Sequence, residues 1–409
     1  MSKKSSSSIV PREPRGVATG IARRDFLRAC AVTGVGLASG FQHHVAQAAG
    51  VSPASGGPPS GDIVVGLEIG ESKVCAAVAE RLSDGTVKIR GIGHAQSWGV
   101  GRCGIVAFEA AARCVRAALV KAEANADVMI GRVVLAVAGA TAGPFSSAPK
   151  TAADICERED ICYAHPGDGR LRRIRRADCS RAKEWHVMES AGTRIENSIR
   201  CISTLGVAVE ALFHAPVASA EAVLDANRKN LGALVIDIGG GSTDYAVYAG
   251  GALRQNGCVM FGSQDIRQEL ACQLRLPFAS GEKLLIEEGS VRLGQPPLGE
   301  RLVVDAGPGS IPREIERETL NTIVRRSVRR ALRSVKQDIA LDGVRLDSLL
   351  AGVQLTGGCS LLPGIRELAA EVFGIPASRA HLHGISTAAS SLKFPRFSCA
   401  LGLAKLAAA

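Results

Sequence analysis

Residues 234–248 read LVIDIGGGSTDYAVY, and this stretch decides the fold. An apolar strand ends at an acid, a glycine-rich turn with two hydroxyl groups follows, and a second acid opens another apolar strand. Glycines in the turn tolerate positive φ and let backbone N–H groups approach an anion closely. The order predicts a β-hairpin whose tip wraps a phosphate, with Asp237 placed to hold a metal-bound water. Taken alone, the turn is also compatible with a bulge or a tight hairpin.

A second segment repeats this layout far upstream. Residues 64–78, VVGLEIGESKVCAAV, run from an apolar strand through an acid, a glycine and a polar turn into another apolar strand. Two such hairpins in one chain predict an internally duplicated fold in which the hairpins face each other across a cleft. A third segment, residues 355–365 (LTGGCSLLPGI), places two glycines between a strand end and a helix, where a planar base or a ribose can lie against the backbone.

Composition agrees with a compact body of two domains. The chain has 409 residues, of which 46% are hydrophobic and 22% charged. Its 12 cysteines contain no C-x-x-C pair, which argues against a zinc site and favours a reducing compartment. The net charge of +10 is partly local, in runs 170–183 and 325–336, which are either solvated faces or contacts to anionic lipid or an acidic peptide. Aromatic residues make up only 4%, which argues against a nucleic-acid partner.

Together the three segments resemble the phosphate-1, phosphate-2 and adenosine motifs of the actin-like ATPase superfamily. From about residue 62 to the C-terminus the chain resembles the FtsA family of bacterial cell-division proteins, and residues 233–255 are the most similar part. The resemblance implies an α/β protein of the actin-like ATPase fold, with two duplicated RNase H-like domains around a nucleotide cleft. The segments 278–289 and 313–332 resemble helices of the second domain, and 397–407 resembles the closing helix.

The resemblance also implies the domain organisation. Residues 62–230 form the first domain, with a shortened subdomain 1C at about 141–190, and 231–409 form the second, with subdomain 2B at about 264–312. Residues 1–61 hold a twin-arginine-like segment and a flexible linker. The export pattern conflicts with an ATP-binding core. Three interpretations resolve this conflict. The true start codon lies downstream of Met1, or the apolar stretch is retained as a membrane anchor, although about 15 residues is short for a span. Alternatively, the chain is exported and its nucleotide site is vestigial.

A site for ATP and Mg²⁺ is implied by the same resemblance. Glu68 and Asp237 are the implied catalytic residues: Glu68 positions the attacking water, Asp237 holds Mg²⁺ through water, and hydrolysis is slow or absent. Glu71 stands where relatives generally have Thr or Ser, and a carboxylate there repels a γ-phosphate. Lys73 either adds charge or is solvated, and Glu282 and Lys283 either contact ribose or adenine or belong to a surface helix. The residues implied to bind the nucleotide are Gly70, Glu71, Ser72, Lys73, Gly239, Gly240, Gly241, Ser242, Thr243, Glu282, Lys283, Gly357, Gly358 and Ser360.

The family resemblance further implies partners. The C-terminal peptide of FtsZ is expected on subdomain 2B, where Arg292, Arg301 and Arg313 either meet its carboxylates or are ordinary surface arginines. Self-association into filaments is expected, as is a peripheral, cytoplasmic location at the inner-membrane division site, reached directly or through a partner. The family's C-terminal amphipathic helix has no counterpart before Ala409, so we expect an N-terminal, basic-patch or partner-mediated attachment.

Three alternatives remain open at this stage. One is another actin-like assembly protein, such as the PilM type of pilus assembly. Another is a degenerate FtsA paralogue that keeps the fold but not the partner contacts. The third is a small-molecule kinase of the same fold, which the sequence disfavours because no acid or histidine outside the phosphate loops lies in a convincing acceptor-facing loop.

Overall fold

The computed structural model describes residues 63–102, 104–138, 192–294, 299–305, 311–341, 343–387 and 394–408, with the backbone of four short strands between 149 and 188. The predicted leader and linker (1–61) lie outside the described residues, as does most of the predicted subdomain 1C. Of the Arg-rich run 170–183, the structure describes only the backbone of residues 171–172. In the part of the chain that is described, no helix combines the length and apolar character needed to cross a membrane.

The described part of the chain contains both strands and helices. The strands are β1 (Ile63–Ile69), β2 (Lys73–Arg81), β3 (Val87–Gln96), β4 (Val100–Gly101), β5 (Gly104–Ile105), β6 (Arg132–Val137), β7 (Pro149–Lys150), β8 (Cys162–Ala164), β9 (Leu171–Arg172), β10 (Trp185–Met188), β11 (Ala208–His214), β12 (Ala233–Ile238), β13 (Thr243–Ala249), β14 (Ala252–Val259), β15 (Arg301–Val304), β16 (Arg313–Glu316), β17 (Val353–Thr356), β18 (Ala377–Arg379) and β19 (Ile385–Thr387). The α-helices are α1 (Phe108–Ala126), α2 (Gly192–Ser203), α3 (Ala215–Val223), α4 (Ala226–Leu231), α5 (Ser263–Leu274), α6 (Phe278–Glu288), α7 (Arg317–Leu341), α8 (Ile365–Phe373) and α9 (Ser398–Ala408).

Two sheets repeat one strand arrangement. The first has the order β11-β6-β1-β2-β3-β19 and the second the order β14-β13-β12-β17-β18. In each, a central hairpin (β1–β2 or β12–β13) continues antiparallel into a third strand and pairs in parallel, on its other side, with a later strand. This is the internal duplication that the two hairpin motifs predict.

The first hairpin is buried on both faces, which explains its unbroken apolar runs. Helix α1 covers one face and helices α3 and α9 cover the other. The helices approach the sheet closely where it has no side chain. A β-carbon built on Gly93 would overlap the Ala118 carbonyl oxygen of α1, and one built on Gly66 would overlap the Ala400 carbonyl oxygen of α9. These glycines therefore set the spacing between the sheet and its helices.

The end of the chain returns to the first sheet. Strand β19 pairs in parallel with β3, and α9 packs against β1, β2 and α3. The second sheet is covered on one side by α5, α7 and α8, whose apolar residues share a core with Leu234, Ile236 and Tyr245. Because β19 joins the first sheet and α9 packs on it, the chain crosses from the first sheet to the second and back again.

Between α5 and α7 the chain forms helix α6 and the two-stranded ribbon β15–β16. The segment 313–332, expected as one helix, begins with strand β16 and becomes helical only at Arg317. Pairing of Arg313–Glu316 with Arg301–Val304 places Ile315 in the core, where it is buried. A non-local pairing of this kind overrides local helix preference.

The basic run 325–336 lies on α7, and acidic residues from neighbouring helices neutralise much of it. Arg325 and Arg329 form ion pairs with Glu371 on α8. Arg326 and Arg330 pair with Glu269 on α5 in the same way. These contacts favour the interpretation of this run as a solvated, structural face.

Candidate functional site

The two hairpin tips are built by the same turn. The backbone N–H of Gly70 donates to the Lys73 carbonyl at 2.9 Å, and the N–H of Gly239 donates to the Ser242 carbonyl at 2.9 Å. Both turns therefore close across three residues and leave the intervening backbone at the tip. The tips face each other across the cleft: a β-carbon built on Gly240 would lie 2.7 Å from Cβ and 2.8 Å from Oγ of Ser72. The predicted apposition of the two loops is present.

Glu68 and Lys73 form an ion pair at the base of the first tip. Lys73 Nζ lies 2.9 Å from Oε1 and 3.0 Å from Oε2 of Glu68. Burial alone lowers the pKa of Lys73, but Glu68 and the nearby Cys75 and Asp237 outweigh burial and raise the pKa above its usual value. Lys73 is therefore a cation of the site rather than a solvated surface charge.

Asp237 is the next-to-last residue of β12 and faces this ion pair from the second sheet. Its Oδ2 accepts hydrogen bonds from Ser219 Oγ at 2.6 Å and from Ser398 Oγ at 3.4 Å. Burial, followed by the negative charge of Glu68, raises the pKa of Asp237 to about 6. The predicted pair of acids is thus brought together from two distant parts of the sequence.

Asp244 is a third buried acid, which the sequence-based site residues did not include. It lies directly opposite Asp237 in the β12–β13 register, and its Oδ2 accepts a hydrogen bond from Ser242 Oγ at 2.9 Å. Its other oxygen, Oδ1, is buried and has no hydrogen-bond partner among the described residues. Burial, followed by the charge of Asp237, raises the pKa of Asp244 to about 7. The sequence signal that could have identified Asp244 is its position directly across the predicted hairpin from Asp237.

These acids fit Mg²⁺ held through water. No group of three His, Cys, Asp or Glu side chains in the described part of the chain is arranged to hold a metal directly. Mg²⁺, however, usually keeps several waters and needs only one or two carboxylates from the protein. The unpartnered oxygen of Asp244 and the carboxylate of Asp237 meet that requirement.

Two of the three hydroxyl groups predicted to contact phosphate donate to protein groups instead. Thr243 is fully buried, and its Oγ1 donates to the Phe261 carbonyl at 2.8 Å. Ser242 donates to Asp244, so among the three predicted hydroxyl groups the Ser72 side chain is the exposed one. Within the described residues, the N–H groups of Gly240, Gly241 and Ser242 donate no hydrogen bond to the protein. Three consecutive amides at a tight turn make an anion-binding concavity.

The third loop lies against the second hairpin. Gly357 has φ +82°, and a β-carbon there would overlap Asp237 Oδ1 and lie 2.5 Å from the Ile238 carbonyl oxygen. Gly358 faces open space, with nothing within 4 Å of an added β-carbon. Ser360 Oγ donates to the Gly357 carbonyl at 2.8 Å and so closes the 3-10 turn Gly358–Leu361. The backbone at Gly358 is the open face predicted for a base or ribose.

Glu282 and Lys283, adjacent on α6, occupy different surroundings. Glu282 Oε1 pairs with Arg267 Nη1 at 2.5 Å, and Arg267 lies near Cys359 of the third loop, whose pKa is raised to about 12 by burial despite that arginine. Lys283 instead lines a groove of about 380 Å³ between α6 and β15. Consecutive helical side chains point about 100° apart, which accounts for the separation.

Two further cations in the cleft were missed from the sequence. Arg102, between β4 and β5, forms an ion pair with Asp265 at the start of α5 and so links the two sides of the cleft. Arg194 on α2 packs against Gly104 of the same turn. Both act on Glu71: burial raises its pKa, and the charges of Arg102 and Arg194 counteract part of that rise. The glycines flanking Arg102 were the available signal for an exposed turn.

The three arginines expected to bind a partner do not form one cluster. Arg301 pairs with Glu314 across the ribbon at 2.8 Å, and both side chains are largely exposed. Arg313, at the other end of that ribbon, donates to the carbonyls of Leu274 at 2.9 Å and Arg275 at 3.1 Å. Arg292 is exposed in the segment after α6.

Known proteins resemble this chain in sequence and in fold. The model of the family described as "Cell division protein FtsA" matches residues 234–402, from the glycine-loop hairpin into α9. The cell division protein FtsA of Neisseria meningitidis serogroup B is 30% identical over 82% of this chain and 88% of its own length. The chain belongs to the FtsA family. This finding confirms the resemblance to the FtsA family that the two hairpin motifs and the third loop indicate.

Solved structures confirm the actin-like ATPase fold of this FtsA-family chain. The PilM–PilN type IV pilus biogenesis complex matches with a TM-score of 0.58 and 15% identity, over 83% of this chain and 97% of the other. MreB 5 of Spiroplasma citri bound to AMPPNP matches with a TM-score of 0.50 and 14% identity, over 83% and 95%. At these identities the likeness concerns the fold alone.

Proposed function

We propose that this FtsA-family chain is a nucleotide-dependent scaffold of cell division that binds ATP with Mg²⁺ in its cleft and links FtsZ polymers to the inner membrane. The observation that carries the proposal is the contact between the two hairpin tips, Gly240 against Ser72, with Asp237 and Asp244 behind it. A polyphosphate between these tips meets unpaired amides on one side and cations on the other. Family membership supports the division role.

Slow or absent hydrolysis follows from the state of Glu68. Both of its carboxylate oxygens lie within 3.0 Å of Lys73 Nζ, and the two side chains are only 19% and 17% exposed. A general base needs a free lone pair within hydrogen-bond reach of the attacking water. Because the ion pair with Lys73 holds the Glu68 carboxylate in place and offsets its charge, we expect the site to be better suited to binding a nucleotide than to turning it over.

Nucleotide binding would control assembly through closure of the cleft. The Arg102–Asp265 ion pair and the Ser72–Gly240 contact both join the two sides. A ligand held by both hairpins stabilises the closed arrangement by its binding free energy. We expect that arrangement to be the one that self-associates into filaments.

The FtsZ peptide would bind the groove between α6 and β15. The groove combines apolar side chains, among them Leu284, Leu302 and Val303, with one basic residue, Lys283, and three acidic residues, Glu287, Glu288 and Asp305. Strand β15 pairs only with β16 among the described strands, so its other edge is open to an added peptide. Arg301 is the first residue of β15, and its exposed pair with Glu314 can be exchanged for a peptide carboxylate at small cost.

The test is binding of a labelled FtsZ C-terminal peptide to the full-length chain, followed by fluorescence anisotropy with and without ATP–Mg²⁺. We expect micromolar affinity that weakens at least tenfold on Arg301→Glu. Arg132→Glu, which breaks a similarly exposed pair with Glu210 on β11, is the matched control and leaves binding unchanged. A folded chain that binds ATP but no peptide overturns the FtsZ link, and a pull-down that recovers pilus inner-membrane proteins instead favours a PilM-type role. Rapid phosphate release by the chain alone contradicts the scaffold.

A further inference from the structure

The side chain of Glu71 lies on the glycine loop of the opposite hairpin. A β-carbon built on Gly241 would overlap the carboxyl carbon and both carboxylate oxygens of Glu71. The backbone around Glu71 is fixed from both sides of the cleft, since Gln264 Nε2 approaches the Glu71 carbonyl at 3.4 Å and the Ser97 N–H donates to the Ser72 carbonyl at 3.2 Å. The carboxylate is therefore directed into the loop by an anchored turn.

The place that Glu71 fills is an anion site. The N–H groups of Gly240, Gly241 and Ser242 lie at this turn without protein partners among the described residues. Arg102 and Arg194 are near enough for their positive charges to act on the Glu71 carboxylate. Unpaired amides with cations opposite are the surroundings that the terminal phosphate of a nucleotide requires.

We propose that the Glu71 carboxylate occupies the terminal-phosphate position of the loop and makes the site selective for a nucleoside diphosphate over a triphosphate. The proposal rests on the proposed nucleotide site and names the ligand class that this site prefers. Glu71 is a specificity-determining residue in this scheme, and Gly241 is the surface on which its carboxylate rests.

Steric and electrostatic arguments lead to the same preference. A phosphate group and a carboxylate cannot occupy the same volume above Gly241, and two anions in a partly dehydrated cleft repel each other strongly. A triphosphate must therefore displace the Glu71 carboxylate from its position over Gly241 and away from the positive charges of Arg102 and Arg194. A diphosphate that ends before this position leaves the carboxylate in place, where the charges of the two arginines offset part of the cost of its burial.

The test compares the dissociation constants of ADP and ATP, each with Mg²⁺, for the full-length wild type and two variants, by isothermal titration calorimetry. Glu71→Ser removes the carboxylate and its volume, whereas Glu71→Gln keeps the volume and removes the charge. Glu80→Ser, at the far end of the same β1–β2 hairpin in an exposed pair with Arg90, is the matched control. Thermal unfolding of each variant checks that it is folded.

We expect the wild type and Glu80→Ser to bind ADP at least tenfold more tightly than ATP. Glu71→Ser should bring the two constants to within about threefold by strengthening ATP binding, with Glu71→Gln between them. Equal affinities in the wild type that Glu71→Ser leaves unchanged overturn the inference while the nucleotide site stands. If neither nucleotide binds the wild type or Glu71→Ser, the proposed function fails and the inference fails with it. Binding of ATP and ADP only in Glu71→Ser also overturns the diphosphate preference, because Glu71 then blocks both.

Discussion

Lys73 contacts both carboxylate oxygens of Glu68, at 2.9 and 3.0 Å, and this ion pair lies beside Asp237 of the opposite sheet. The single lysine thus faces two acids that come from separate hairpins. Removing it leaves two negative charges close together in a partly buried cleft. The stability of the first hairpin tip and the charge of the site are therefore coupled through one side chain.

Replacing this lysine tests that coupling. We expect Lys73→Met to lower the free energy of unfolding by about 1–3 kcal/mol, because it leaves Glu68 without its partner. Arg90→Met, which breaks the exposed pair with Glu80, should cost about 0–1 kcal/mol. Urea unfolding of the two variants measures the difference. Glu68→Gln added to Lys73→Met should restore part of the loss, and equal losses in both single variants would contradict the argument.

The buried acid Asp244 should make stability depend on pH. Its pKa is about 7 in the folded chain and about 3.9 in an unfolded one, so the folded state keeps a proton that the unfolded state releases. Its contribution is therefore present below about pH 4 and is lost as pH rises through 7. We expect the stability of the wild type relative to Asp244→Asn to fall between about pH 4 and pH 7, by at most about 1.4 kcal/mol per pH unit.

Two other buried groups titrate near this window and set the design of that experiment. Asp237, with a pKa of about 6, acts in the same direction as Asp244. His214, whose pKa burial lowers to about 3, acts in the opposite direction because its neutral folded form is favoured as pH rises. Both are present in the wild type and in Asp244→Asn, so the difference between the two proteins reports Asp244 together with its interaction with Asp237. A pH-independent difference, measured without Mg²⁺ or nucleotide, would contradict the burial of an ionisable Asp244.

Short-range patterns predict the parts of this fold that are local. Each of the two hairpins follows from an apolar strand, an acid and a glycine turn. The sequence did not predict that Arg102 and Arg194 act on Glu71. This role requires the β4–β5 turn and helix α2 to approach the turn that carries Glu71, although these segments are distant in sequence. The contact of Glu71 with Gly241 is non-local in the same way: the sequence indicates that the acid is unusual, but only the apposed hairpins show where it lies.

The third loop offers a matched pair of glycines. We expect Gly357→Ala to cost about 2 kcal/mol or more, because φ is +82° and the added methyl group overlaps Asp237. Gly358→Ala should change stability by less than about 0.5 kcal/mol, since nothing lies within 4 Å of its β-carbon. Gly374→Ala, with φ +76° and equally open surroundings, measures the backbone cost alone, about 1 kcal/mol. Thermal unfolding gives all three, and equal effects of Gly357→Ala and Gly374→Ala would exclude the overlap.

The sequence did not predict the direction in which several side chains of the candidate site point. The sequence leaves open whether Glu282 and Lys283 contact ribose or adenine or belong to a surface helix, and Lys283 lines the groove beside β15. Thr243 has the residue type of a phosphate donor, but its hydroxyl donates to the Phe261 carbonyl inside the core. Residue types and spacing indicate which segments approach a ligand, whereas the direction of each side chain follows from packing that the spacing does not encode.

The groove between α6 and β15 provides the test of the partner surface. Val303 is 73% exposed and lines this groove on an unpaired strand edge, so an apolar peptide side chain should cover it. We expect Val303→Asp to weaken binding of the FtsZ C-terminal peptide at least tenfold without lowering the unfolding temperature, because an exposed valine contributes little to folding. Val120→Asp, at a valine on α1 that is 55% exposed, is the control and should leave peptide affinity unchanged. Because the groove lies outside the nucleotide cleft, Val303→Asp should also leave the dissociation constant of ADP unchanged. A peptide that binds Val303→Asp as tightly as the wild type must occupy another surface of this chain.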